Sequence, residues 1–147
     1  MSNKSEPIRK IYIEPTSLCN LSCRMCSRNA WFEEESGHMS RETFEQVLSA
    51  VKDNPTVETI FFGGIAEPFS HPDLLPMLRE AKRTGRRVEL ITNGATLKRE
   101  IIAELFGMKL DMLWVSLDGA DSTTYEGIRT DSDYTKVTDQ LLQFSLA

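Results

Sequence analysis

Val57-Glu58-Thr59-Ile60-Phe61-Phe62-Gly63-Gly64 reads as one strand and its exit. The run Thr59-Ile60-Phe61-Phe62 is almost continuously apolar, the pattern of a strand covered on both faces, and the glycine pair breaks it. A helix is expected on each side. Ahead of the strand, Ser40 is placed to cap a helix whose Phe44, Val47, Leu48 and Val51 fall at i, i+3, i+4, i+7 spacing, and Asn54-Pro55 ends it. Behind it, His71-Pro72-Asp73 opens a second helix with proline in its first turn. Leu74, Leu75, Leu78 and Ala81 face inward there, and Gly85 is the stop.

The same alternation extends both ways. Ile11-Tyr12-Ile13-Glu14 is a short strand closed by Pro15. Arg87 to Thr92 is a third strand, followed by Asn93-Gly94. Thr96 to Phe106 is a helix with Leu97, Ile101, Ile102 and Leu105 inward and Gly107 as its stop. Met112 to Leu117 is a fourth strand ending at Asp118-Gly119, and Asp121 caps a short helical turn after it. A last helix starts near Ser132 and carries Tyr134, Val137, Leu141 and Phe144. Four βα units in series predict an α/β fold with a parallel sheet and right-handed crossovers. A closed eight-unit barrel needs about 250 residues, so this chain is expected to form about four units of a parallel partial TIM-type barrel. Its fourth strand would present an open edge, a site for self-association or for a partner chain. Residues 1–10 are expected to be a flexible start, and 11–147 one domain.

Composition narrows the function. The chain has 147 residues, 40% hydrophobic and 27% charged, with a net charge of −5, an ordinary globular balance. That charge offers no phosphate-tracking surface, so nucleic acid is not an expected partner. No apolar run approaches the roughly 20 residues of a membrane span, and Met1 to Lys10 lacks the apolar core of a signal peptide. All three cysteines fall within Cys19-Asn20-Leu21-Ser22-Cys23-Arg24-Met25-Cys26. An odd, clustered count without an export signal points to the reducing cytoplasm.

That C-x3-C-x2-C loop directly follows the first strand, so its thiols are expected at the strand's carboxyl end, where parallel α/β folds keep their ligands. Iron–sulfur cubanes normally take four protein thiolates. Three leave one iron open to a ligand, the logic of a catalytic metal site. A Cys3His zinc site using His38 is the bland alternative, and three unrelated buried thiols the blandest. Trp31 and Phe32 follow, either over the cluster or as a lid on the core.

Each later strand end adds a polar group. Gly63 and Gly64 permit close backbone approach to a ligand, and Glu67 offers a carboxylate to an ammonium, although it would serve equally as a turn residue. Asn93-Gly94 by itself marks a turn. Ser116 could donate to a ribose hydroxyl or to nearby backbone. Arg129 could bind a carboxylate bidentately or form a surface ion pair.

Together these segments resemble the radical S-adenosylmethionine (radical SAM) superfamily. The resemblance rests on the cysteine loop, Gly64-Ile65-Ala66-Glu67-Pro68 with His71-Pro72-Asp73, Ile91-Thr92-Asn93-Gly94, Val115-Ser116-Leu117-Asp118-Gly119, and the segment ending Ile128-Arg129. It implies that Cys19, Cys23 and Cys26 ligate a 4Fe-4S cluster. The amino and carboxylate groups of S-adenosylmethionine would chelate its fourth iron. Glu67 would accept from that amino group, Ser116 would reach the ribose, and Arg129 would pair with the carboxylate. Met25 would lie near the adenine, with Gly64 close to the cofactor and Asn93 a ribose or methionine contact. The implied reaction is reductive cleavage of S-adenosylmethionine to a 5′-deoxyadenosyl radical, which abstracts a substrate hydrogen. The implied partners are a low-potential electron donor of flavodoxin or ferredoxin type and a peptide or cofactor-precursor substrate. No catalytic residue is implied beyond the cofactors themselves.

Two departures stand out. Ala66 occupies a position where the family usually has glycine, and two strands of the usual six-stranded partial barrel are absent. Glu14-Pro15-Thr16-Ser17-Leu18 is most similar to peptide- and cofactor-maturing members, which often carry a further auxiliary-cluster domain. The competing functions are a remnant that binds cluster and S-adenosylmethionine without turnover, and a non-catalytic iron–sulfur or zinc module.

Overall fold

The computed structural model describes residues 6–30 and 36–146. Trp31 and Phe32, for which a covering role was expected, lie outside them. Four strands, β1 (Lys10–Ile13), β2 (Thr59–Phe62), β3 (Arg87–Thr92) and β4 (Met112–Val115), pair in sequence order, every pair parallel. The helices between and after them are α1 (Arg41–Asp53), α2 (Leu74–Arg83), α3 (Arg99–Gly107), α4 (Ser122–Ile128) and α5 (Tyr134–Ser145), with 3-10 turns at Ser27–Ala30 and Pro68–Ser70. The expected α/β architecture of four βα units is therefore present. No helix among the described residues is long and apolar enough to cross a membrane.

Local chemistry accounts for most boundaries. Ser40 caps α1 by accepting from the Thr43 backbone N–H, and Phe44, Leu48 and Val51 form its buried face. Asp121 caps α4 in the same way through Thr124, and Asp133 caps α5 through Lys136. Gly85 ends α2 with φ 76°, a left-handed conformation that costs glycine nothing.

Several boundaries differ from the sequence reading: β2 begins at Thr59 rather than Val57 and β4 ends at Val115 rather than Leu117, and α2 and α3 are bounded differently. Pro72 precedes α2 rather than sitting in its first turn; Pro76 occupies that turn, where the missing N–H has no helical partner to lose. Helix α3 starts at Arg99, after Leu97 has already been buried completely. Gly107 is its last helical residue rather than its stop; Lys109 makes the left-handed turn, with φ 55°.

The core lies on one side of the sheet. Ile13, Ile60, Phe62, Val88 and Leu90 pack with Phe44, Leu48 and Val51 of α1, Leu74, Met77 and Leu78 of α2, and Ile102 and Leu105 of α3. The opposite face carries the alternate residues, among them Tyr12, Phe61, Glu89, Met112 and Trp114. Tyr12 is 69% exposed and Trp114 49%. Burial on both faces, expected from the apolar run in β2, thus holds for one face alone among the described residues. The physical reason is curvature: the inner face of a barrel is covered when strands come round to meet it, and four strands do not enclose it. Within that open face Glu89 is buried between Lys10 (2.7 Å) and Arg87 (2.8 Å), and the Lys10 ammonium lies over the Phe61 ring at 4.7 Å.

Candidate active site

A cavity of about 300 Å³ opens at the carboxyl ends of the strands. Its lining includes Cys19, Cys23, Met25 and Cys26 from the loop after β1, and Gly64, Ala66 and Glu67 from the loop after β2. Asn93 from the end of β3, Ser116 from the end of β4, and Arg129 complete it. The residues nominated for the cluster and S-adenosylmethionine therefore all line one cavity. His38, the fourth ligand of the zinc alternative, is not part of that wall. Its ring packs edge-on against His71 at 4.9 Å, and its backbone bridges to Thr16.

The cysteine loop is held by backbone bonds to the arginine segment. Ser22 N–H donates to the Thr130 carbonyl (3.3 Å) and Arg24 N–H to that of Ile128 (2.9 Å). Leu21 is buried beneath it. Asn29 Nδ2 donates to the Cys23 carbonyl (2.9 Å), and Cys26 N–H to the same oxygen (3.1 Å), which folds the C-x2-C half back on itself. All three thiols are free; Cys23 is buried and the other two are half-buried. Burial pushes the Cys23 thiol above its usual range, opposed by the nearby Arg129 guanidinium.

Glu67 is the most constrained polar residue of the cavity, 2% exposed. Its Oε1 accepts from Phe69 N–H (3.1 Å) and Thr92 Oγ1 (2.8 Å), and its Oε2 accepts from Asn93 N–H (2.7 Å). Burial raises its carboxyl above the usual range; those three donors, and Arg129 more weakly, work in the opposite direction. The carboxylate that lines the cavity also serves the turn, because the bond to Phe69 caps the 3-10 turn at Pro68–Ser70.

Asn93 closes an Asx turn through Oδ1 to Ala95 N–H (2.9 Å), while its Nδ2 reaches Asn20 Oδ1 (2.9 Å). The turn needs Gly94, whose φ is 83°. Arg129 is 7% exposed and not a surface ion pair. Its Nε and Nη2 both reach Asp118 Oδ2, at 2.7 and 2.6 Å. Met25 is 55% exposed at the mouth. Ala66 keeps a negative φ, so the alanine in a position usually held by glycine introduces no backbone strain.

Sequence reasoning missed three contributors. Thr92 bridges β3 to Glu67, and Asp118 orients Arg129; each sat inside a quoted segment without a role. The third is Glu14, read simply as the polar end of a strand. Its Oε1 accepts from Ile65 N–H (2.6 Å) and Ala66 N–H (3.3 Å). A Cβ on Gly64 would lie within 2.6 Å of Glu14 Cγ, and closer still to Cδ and Oε1. The carboxylate thus occupies the space that the absent Gly64 side chain leaves.

The donor set fits an iron–sulfur cubane better than a single ion. Among the described residues, no three His, Cys, Asp or Glu side chains converge on one ion-sized point. A cubane asks each thiolate to meet a different iron, and the three thiols line one cavity with space beside them.

Comparison with known proteins agrees with this geometry. The family model of the Radical SAM superfamily matches residues 13–142. The chain belongs to that superfamily. It is 38% identical over 111 residues to the tungsten-containing aldehyde ferredoxin oxidoreductase cofactor-modifying protein of Pyrococcus furiosus, covering 76% of this chain and 31% of that one. It is 30% identical over 113 residues to the PqqA peptide cyclase of Rhodopseudomonas palustris, covering 77% and 29%. The fold matches Streptococcus suis SuiB, in a crystal structure bound to S-adenosylmethionine, with a TM-score of 0.78 at 20% identity, covering 95% of this chain and 32% of that one. The chain spans about a third of the length of these relatives.

Proposed function

We propose that this chain is the cluster- and S-adenosylmethionine-binding portion of a radical SAM enzyme acting on a peptide or a cofactor precursor. The observation that carries the reading is the cavity wall: three thiols and a buried carboxylate from the loops after β1 and β2, beside a buried guanidinium from the end of α4. Cys19, Cys23 and Cys26 would hold a 4Fe-4S cluster. When bound, cluster and S-adenosylmethionine supply one-electron cleavage of a carbon–sulfur bond and hydrogen abstraction from a substrate.

The remaining work falls to the chain's own groups. Glu67, fixed by three donors, presents a preoriented carboxylate to the methionine ammonium. Arg129, steered by Asp118 through two of its nitrogens, keeps Nη1 for the methionine carboxylate. Ser116 and Asn93 would contact ribose or methionine, Met25 would lie near the adenine, and the Gly64 backbone would lie close to the cofactor. The proposed setting is a reducing cytoplasm, with a flavodoxin- or ferredoxin-type electron donor. Substrate class follows the relatives named above, one a peptide cyclase and one a cofactor-modifying protein.

A second reading is a chain that binds cluster and S-adenosylmethionine without turnover. It applies if the inner face, where Tyr12 and Trp114 are open to solvent, stays uncovered in the whole protein, because this chemistry needs a site that excludes water. A further strand-bearing segment or partner chain at β4 would remove that objection. A non-catalytic iron–sulfur or zinc module has no use for the Glu67, Ser116 and Arg129 constellation.

Anaerobic reconstitution, electron paramagnetic resonance of the reduced protein with and without S-adenosylmethionine, and a 5′-deoxyadenosine assay separate these readings. A cluster signal that shifts on adding S-adenosylmethionine, with deoxyadenosine released, is the expected result. A shift without product selects the binding-only chain. A protein that takes up zinc and no cluster overturns both.

A further inference from the structure

We propose that Glu14 is a positioning residue for the cofactor site, acting through the glycine loop and not by touching the cofactor itself. The inference rests on the S-adenosylmethionine reading above. Glu14 follows β1 directly, one residue beyond Ile13, which pairs with Phe62 at the end of β2. From there its Oε1 spans to the next βα loop and accepts the N–H groups of both Ile65 and Ala66. One charged oxygen thus satisfies two consecutive backbone donors in a segment with no secondary-structure partner of its own, and charge-assisted bonds of this kind are the stronger class. The bonded residues flank the cavity: Gly64, Ile65, Ala66 and Glu67 all line it.

Gly64 shows the same contact from the other side. Neither it nor Gly63 has a positive φ, so conformational freedom does not explain the glycine at position 64. Space does, since the volume a methyl would occupy is filled by the Glu14 carboxylate. The two residues form one device, a carboxylate and the gap that admits it. Beyond them, Glu67 is tied to Thr92 and Asn93. Three consecutive residues of the loop are therefore fastened, Ile65 and Ala66 to the residue that follows β1 and Glu67 to the end of β3.

The test compares Glu14→Ala, Glu14→Gln, Gly64→Ala and the double variant Glu14→Ala/Gly64→Ala in the full reconstituted chain. Two quantities are read: exchange of the Ile65 and Ala66 amides, which needs no ligand, and the dissociation constant for S-adenosylmethionine. Glu14→Ala is expected to release both amides to fast exchange and to weaken binding about tenfold, the scale of a lost hydrogen bond to a charged group. Glu14→Gln, which keeps an acceptor oxygen, is expected to restore most of both. A methyl on Gly64 pushes the carboxylate out, so Gly64→Ala should match Glu14→Ala, and the double variant should be no worse than either. Three results overturn the proposal: protected amides in Glu14→Ala, freed amides with unchanged affinity, or additive effects in the double variant. A wild-type chain that protects both amides and does not bind S-adenosylmethionine overturns the cofactor reading, and leaves the clamp between Glu14 and the loop standing.

Discussion

Glu89 illustrates how a single buried charge governs behaviour with pH. Hydrogen bonds from Lys10 and Arg87, with the charge of Lys10, hold its carboxyl below the usual range. A carboxylate whose folded-state value is depressed contributes stability above its unfolded-state value, and that contribution is lost as pH falls through the folded-state one. Glu89→Gln leaves Lys10 and Arg87, both partly exposed, without their shared partner. It is expected to cost about 1–2 kcal/mol at neutral pH. The gap between variant and wild type should close on acidification below the ordinary glutamate range, measured by urea unfolding across pH. A gap that persists in acid would show that packing rather than charge is at work. At the proposed cofactor site, Arg129→Lys keeps the charge and loses the fork that Asp118 orients. It should weaken S-adenosylmethionine binding while iron uptake by the three cysteines stays at the wild-type level.

At the scale of elements, two helix ends give opposite predictions. Ser40→Ala removes the acceptor that satisfies the Thr43 N–H at the start of α1, and should lower stability by about 1 kcal/mol. Lys109 holds φ 55° just past the end of α3, a conformation that costs an L-residue roughly 1–2 kcal/mol and glycine very little. Lys109→Gly should therefore raise the unfolding midpoint in urea with an unchanged slope. A lower midpoint would mean that the lysine side chain makes a contact outweighing the strain. The same end shows how far local patterns reach. Gly107 is the obvious helix stop from sequence, yet the chain runs on and turns at Lys109. The inward anchors explain this: Leu105 is buried, and Met108 and Leu110 are pulled against the core, so packing overrode the glycine's preference.

Among the described residues the sheet has one face packed by helices and one open face. Met112, Trp114 and Leu117 leave a band of exposed apolar surface along β4, beside a strand edge that pairs with β3 alone among the described residues. Such an edge invites a further strand or a second copy. Sedimentation over a range of concentrations should show larger species. Trp114→Lys, a charge of the type that blunts strand edges, should shift the distribution towards monomer. A concentration-independent monomer would remove self-association from consideration and leave a further chain segment or partner as the occupant.

What the amino-acid sequence determined is what local spacing encodes. The apolar periods of Thr59–Phe62 and of Phe44, Leu48 and Val51, the capping of α1 by Ser40, and the C-x3-C-x2-C loop each need a few neighbouring residues. From these came the βα order, the parallel sheet and the position of the thiols at the end of β1. Tertiary structure alone decided which polar groups meet. Glu14 finds Ile65 across 51 positions of sequence, Glu67 finds Thr92 across 25, and Arg129 turns inward to Asp118 instead of outward to water. No periodicity marks those pairs, because a carboxylate or guanidinium reads the same in a solvated turn as in a buried cavity. Its partners are chosen only when parallel strands set in register bring their carboxyl ends together.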